Sequence, residues 1–234
     1  MRLWLKPEDI EVLMEDELRG AALLPTTQNP VVDLELFIER HLGACLDPYA
    51  DLEHAVLGQT EFFPGQPPRV QINRDLTRAA MDEDESPPGL RGRWRATLAH
   101  EAGHVVMHRM LFEVEDTGDL FGDRIATHTP QRLMRCLRAN VLFRGGVTDW
   151  REVQANRGMA ALLMPKALFQ RMAAAAVARL AIGPDDLVVG SLAAQRLAAE
   201  IAPLFEVSKQ AARIRLEALG LLFAPAQARL GLTR

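Results

Sequence analysis

The stretch Thr97-Leu98-Ala99-His100-Glu101-Ala102-Gly103-His104-Val105-Val106-Met107-His108 places two imidazoles and a carboxylate on one short, mostly apolar segment. Read as a helix, it sets His100 and His104 one turn apart, so both rings project to the same side and can share one metal ion. Glu101 then flanks that ion. A carboxylate there can take a proton from water and pass it to a leaving amine, the general-base arrangement of a zinc peptidase. The plainer reading is a core helix that happens to carry histidines, and a third ligand decides between the two.

A catalytic zinc takes three protein ligands and keeps one position open. His108 is the nearest candidate, but along a helix it stands about 12 Å from His100, too far for one ion to bond both at ~2 Å. It is expected on the helix surface or as an outer partner. The metzincin spacing fails, because positions 107 and 110 are both Met. Glu152, in Asp149-Trp150-Arg151-Glu152-Val153-Gln154-Ala155-Asn156, is the remaining option. A carboxylate on a second helix packed against the first completes a His-His-Glu set, and Asn156 one turn later can hold a histidine ring in its tautomer.

Three blocks in order carry a family resemblance: Arg93-Trp94-Arg95-Ala96-Thr97-Leu98-Ala99-His100-Glu101-Ala102-Gly103-His104, then Glu152-x-Gln154-Ala155-Asn156 with Ala160-Ala161-Leu162-Leu163-Met164-Pro165, then Phe205-Glu206-Val207-Ser208 through Arg215 to Leu222. Over roughly residues 31 to 222 the chain resembles the ImmA/IrrE family of bacterial and phage metallopeptidases. The resemblance implies that His100, His104 and Glu152 bind zinc, with manganese as the other ion to consider, and that Glu101 is the base. It also implies a zincin-like fold and a narrow protein substrate, a helix-turn-helix transcriptional repressor whose cleavage derepresses stress-response or mobile-element genes. The chain departs from the family at Ala96, where an aromatic is usual, and at Gly158-Met159, where Phe-Ala is usual. The 48 positions from His104 to Glu152 are also a long interval for the family, so residues 111–147 read as an insert.

Composition sets the frame. An apolar share of 48% with 25% charged residues is that of an ordinary globular protein. The net charge of −4 leaves no whole-chain footprint for nucleic acid, so direct contact with it is not expected. With neither a signal core nor an uncharged apolar run of spanning length, a cytoplasmic protein without membrane partners is expected. Cys45 and Cys136 then read as two buried thiols rather than a disulfide.

Along the chain, Pro7 opens a helix ended by Gly20, and Asp33 caps another from Leu34 to about Leu42, closed by Gly43. Ala55-Val56-Leu57, Thr60 to Phe63 and Arg69 to Asn73 read as short strands, the first two separated by Gly58. The last is expected to take an extended substrate along its edge, with Val70 and Ile72 beside it. Residues 81–89 form an acidic loop. Helices follow from Pro130 to about Phe143, Trp150 to Met164, Pro165 to Ala181, Leu192 to Phe205 and Ser208 to Leu219. No oxyanion donor stands out, since Tyr49 is remote from the motif and His128 falls in the insert.

The expected fold is therefore α+β and zincin-like, a small antiparallel sheet packed on a mostly helical domain. Its parts are a helical extension (1–30), the metallopeptidase domain (31–181) and a helical C-terminal subdomain (182–234). The competing function is a non-catalytic DNA- or protein-binding regulator with a helix-turn-helix-like C-terminus. Residues 192–234 carry six basic against three acidic side chains, too few for a phosphate-binding face, which favours a packing bundle.

Overall fold

The computed structural model describes residues 4–63, 65–82, 89–114, 132–137 and 149–224. Helix α1 (Pro7–Gly20) starts at a proline and buries Ile10, Met14 and Leu18, spaced four apart along one stripe. Asp33 caps the short α2 (Leu34–Leu36) by accepting from the Leu36 amide, and the turn continues as a wider π segment, Phe37–His41. Gly43 reverses the chain at φ +62°, a conformation that favours glycine.

Four strands follow in part: β1 (Cys45–Ala50), β2 (Val56–Phe62), β3 (Arg69–Asn73) and, after the long helix, β4 (Arg132–Leu137). They lie in the order β1-β3-β2-β4. β2 is antiparallel to both β3 and β4, but β1 runs parallel to β3, so the sheet is mixed rather than antiparallel. β3 is therefore an interior strand. Its hydrogen-bonding sides are both taken, and Val70 and Ile72 are fully buried, which rules out substrate addition along it.

Three other expectations change. Gly58 does not interrupt a strand; it lies inside β2, whose residues are all buried. Cys45–Ala50, to which no element was assigned, contains Asp47 and Pro48 and forms a strand at the sheet edge, where a missing amide is tolerated. Arg132–Leu137, inside the expected helix from Pro130, is strand β4. Leu133, Met134, Cys136 and Leu137 fit a helical stripe, and pairing with β2 overrides it. The remainder of that span, the acidic positions 83–88 and most of residues 111–147, which were expected to be an insert, lie outside the described residues.

Helix α3 (Arg74–Met81) leads to α4 (Leu90–Val114), which carries the motif. Residues 97 to 105 of α4 are buried on every side, since the sheet covers one flank and α5 (Trp150–Leu163) the other. Asp149 caps α5 by accepting from the Arg151 amide. Helices α6 (Lys166–Arg179), α7 (Leu192–Ile201) and α8 (Lys209–Ala218) complete the chain, the last two capped by Ser191 and Ser208. Their buried residues, such as Phe169, Leu197 and Leu216, join Ile10 and Leu98 in one continuous core. Among the described residues no helix is long and apolar enough to cross a membrane.

Arg215 on α8 is a clamp in this arrangement. Its side chain is 3% exposed, donates to the Met164 carbonyl at 3.0 and 2.8 Å, and pairs with both carboxylate oxygens of Glu11 on α1. Arg213, on the same helix, makes only a half-exposed pair with Glu217 one turn away. Replacing Arg215 by Ala leaves a buried carbonyl and a partly buried carboxylate without their donor. A loss of about 2–4 kcal/mol in urea unfolding is expected, against about 0.5 kcal/mol or less for Arg213→Ala.

Candidate metal centre

Two glycines let α4 and α5 approach closely. A Cβ on Gly158 would stand 3.0 Å from the terminal methyls of Met107 and Met14, and 3.6 Å from the Gly103 Cα. On the facing helix, a Cβ on Gly103 would stand 3.3 Å from the Ala155 carbonyl oxygen. The lack of a side chain at Gly158 thus allows the tight crossing, with the Met107 and Met14 methyls packed against it.

The crossing brings Glu152 to the histidine pair. Its two carboxylate oxygens lie 3.2 Å from His100 Nε2 and 3.2 Å from His104 Nε2, and those two nitrogens are 3.1 Å apart. The histidines are fully buried and Glu152 is 8% exposed. Two imidazole nitrogens and a carboxylate converging in a dry place require a cation or a proton between them. Atoms spaced at 3.1–3.2 Å match ligands that share one ion at about 2 Å. The donor set therefore fits a divalent metal ion.

Hydrogen bonds behind the ring atoms fix the tautomers. His100 Nδ1 donates to Asn156 Oδ1 at 3.1 Å, which leaves the Nε2 lone pair facing Glu152. His104 is served by a chain: its Nδ1 donates to His108 Nδ1 at 3.0 Å, and His108 Nε2 donates to Gln154 Oε1 at 3.2 Å. The chain works only with neutral imidazoles, and burial pushes both His104 and His108 down to about 4. His108 is thus fully buried rather than on the helix surface, held between His104, Gln154 and the edge of the Trp150 ring. The sequence pointed to Asn156 and left His108 open. The i, i+4 step from His104 to His108, together with Gln154, is the signal that identifies the chain.

Without a metal, the charges divide unevenly. Burial acts to raise Glu152, but hydrogen bonds and charge from His100 and His104 outweigh it and hold the carboxyl well below the usual range. Burial acts to lower His100, and Glu152, Glu101 and Asn156 outweigh that, raising it. Glu101 is pushed up to about 7 by burial, against His100 and Thr60, which favour the carboxylate.

Glu101 faces the sheet. The Thr60 hydroxyl donates to its Oε2 at 2.6 Å, while Oε1 is buried with no hydrogen-bond partner among the described residues. A buried carboxylate oxygen left open beside the three ligands is where a water proton would be received. Gly58 makes room for it: a Cβ there would lie 3.0 Å from Oε1 and 2.7 Å from the Thr97 methyl. The thiol of Cys136, on β4, lies here too. Its sulfur, a Glu101 oxygen and a His100 nitrogen are all within 4.8 Å of one another. Burial and the charges of Glu101 and Glu152 push this thiol well up.

Comparison with protein-family models, curated proteins and solved structures found no match. The site therefore rests on its own geometry. Among the described residues two buried groups are suited to a metal ion, His100-His104-Glu152 and His100-Glu101-Cys136. His100, Glu101, His104, Glu152 and Asn156 meet as expected, and Thr60, Gly58, Cys136, His108 and Gln154 join them. Cys45 is exposed rather than buried. Tyr49 is exposed on β1, across the sheet from β4, and His128 lies outside the described residues.

Two outcomes follow for this centre. Gly58→Ala forces the Thr97 methyl or the strand to move and is expected to cost about 1–3 kcal/mol on thermal or urea unfolding. In chelator-treated protein, His104 and His108 titrate near 6.5 when unfolded but about 4 when folded, so stability falls as pH drops below 6.5. Glu101, raised from 4.5 to about 7, works oppositely, its contribution being lost as pH rises from 4.5 to 7. With two protons against one, the melting temperature is expected to climb from pH 4.5 to 6.5, and to climb more steeply in Glu101→Gln.

Proposed function

We propose that the chain is a zinc-dependent endopeptidase. The observation that carries this reading is the Glu152 carboxylate 3.2 Å from each histidine Nε2, beside a second buried carboxylate whose Oε1 has no hydrogen-bond partner among the described residues. A purely structural ion has no use for that second acid. Zinc is favoured by the two-imidazole, one-carboxylate set, with manganese the alternative.

In this reading His100, His104 and Glu152 hold the ion, which when bound supplies Lewis acidity toward water and toward a peptide carbonyl. Glu101 takes a proton from the attacking water at Oε1 and delivers it to the leaving amine. Thr60 keeps the base in place by donating to its other oxygen. The long Gln154-His108-His104 chain and Asn156 keep the ligand lone pairs pointed inward. Burial of the whole constellation excludes bulk water, so each charge acts in a medium of low polarizability.

The substrate class rests on the resemblance to ImmA/IrrE metallopeptidases: a protein partner, namely a helix-turn-helix repressor cut during a stress or mobile-element response. The regulator alternative draws less support. Arg215 is buried and committed to Glu11 and the Met164 carbonyl, which withdraws it from phosphate contact and leaves α8 without a clustered basic face.

Metal analysis of purified wild type and Glu101→Gln is expected to find one equivalent of zinc in both, with Glu152→Ala depleted. Co-expressed with candidate helix-turn-helix repressors, wild type is expected to yield discrete fragments of its substrate and Glu101→Gln none. A wild-type protein that takes up no zinc under non-chelating conditions overturns the proposal.

A further inference from the structure

We propose that the cavity between α1, α4, α5 and α8 is a binding site for a drug-sized apolar molecule that carries one carboxylate. The inference goes beyond the metal reading and does not depend on it, since none of His100, Glu101, His104 and Glu152 lines the cavity.

Two pins hold α8 against its neighbours. At its start the chain is pressed on α4 at Gly92, where a Cβ would stand 3.3 Å from the Ser208 amide nitrogen and 3.4 Å from the Glu206 carbonyl oxygen. Further along, Arg215 ties α8 to the Met164 carbonyl just past the end of α5 and to Glu11 on α1. Between the pins, Ala96, Ala160 and Ala211 present single methyl groups to the space and do not fill it. A cavity of about 1030 Å³ is left, at the upper end of the range of small-molecule sites. Leu163, Val207 and Ile214 make its walls mainly apolar.

The polar groups of the cavity set the charge of its occupant. Three arginines and two glutamates line it, a surplus of one positive charge. Arg215 and Glu11 pair with each other. The guanidinium groups of Arg93, on α4, and Arg157, on α5, have neither a hydrogen bond nor an ion pair among the described residues, and Arg93 is half-buried. A half-buried cation beside apolar walls gains from an anion, and a planar carboxylate matches the guanidinium fork. The floor adds a further donor. Asn156 is 8% exposed, and its Oδ1 holds His100, while its Nδ2 makes no hydrogen bond among the described residues and opens on the cavity. Arg93, Arg157 and Asn156 thus offer donors without acceptors, which selects an acidic group over an amine. Glu8, at the exposed rim, offsets one of the two free cations, so a single negative charge balances the site. An occupant seated on this floor touches the residue that orients His100.

Fluorescence titration of the full-length protein with pyrenebutyrate tests this, with pyrenebutanol and pyrenemethylammonium as neutral and cationic counterparts. Pyrenebutyrate is expected to bind one equivalent at least about tenfold more tightly than pyrenebutanol, and pyrenemethylammonium more weakly than either. The Arg93→Gln, Arg157→Gln double variant is expected to lose most of the preference for the acid, whereas Arg213→Gln, outside the cavity, keeps it. Ala211→Trp, which fills the space from a half-exposed position on α8, is expected to weaken all three. Should Ala211→Trp fail to fold, the arginine variants still decide the question. Pyrenebutyrate binding weaker than about 1 mM, or no tighter than pyrenebutanol, overturns this inference, as does an unchanged preference in the double variant. The peptidase reading is judged separately, by zinc content and cleavage.

Discussion

Glu152 standing between two imidazoles is the constraint on which the rest of this structure depends. A carboxylate and two buried histidines cannot be assembled in a dry core unless two helices approach nearly to backbone contact. Gly103 and Gly158 provide that approach. Burying the polar cluster is costly, and the cost is offset only because each ring nitrogen has a partner: Asn156, Gln154, His108 and Glu152 itself. The helix that carries the motif is accordingly covered on every side, an environment usually reserved for apolar helices.

The sheet does more than cover α4. β2 brings a hydroxyl to one oxygen of Glu101 and an absent side chain to the other, so one strand both anchors the base and leaves its reactive side open. β4, paired on the far side of β2, adds a thiol to the same small space. Strand register thus sets the hydroxyl and the sulfur on one face of the sheet, and the packing of α4 on that face brings Glu101 to them. The C-terminal helices act at a distance, with Arg215 tying α8 to α1 and to the end of α5, the helix that presents Glu152.

Much of this was legible beforehand because some signals are local. Helix starts at Pro7, Leu34, Trp150 and Leu192 depend on a single capping or ring-constrained residue and appear where expected, while Ser208, read as the first residue of its helix, caps it instead. His100 and His104 share a face by helical geometry alone. The strands were harder to read, since their assignment depends on partners far away in the chain. Arg132–Leu137 carries spacing compatible with a helix and is a strand because β2 offers it a free side. Cys45–Ala50 contains a proline and is a strand because it lies at an edge. Val70 and Ile72 seemed placed for a substrate, but β1 takes the side of β3 that substrate would have used.

By itself the sequence determined the α+β class, the helical spacing of the two imidazoles with the carboxylate beside them, and a short set of acids able to join them. Those follow from repeat distances and capping chemistry, which act within a few residues. Only the tertiary structure decided that His108 and Gln154 orient His104, that Thr60 and Gly58 frame Glu101, and that Cys136 faces the centre. Each of those relations joins residues through the crossing of two helices or the register of paired strands, and such long-range geometry leaves no periodic trace in the chain.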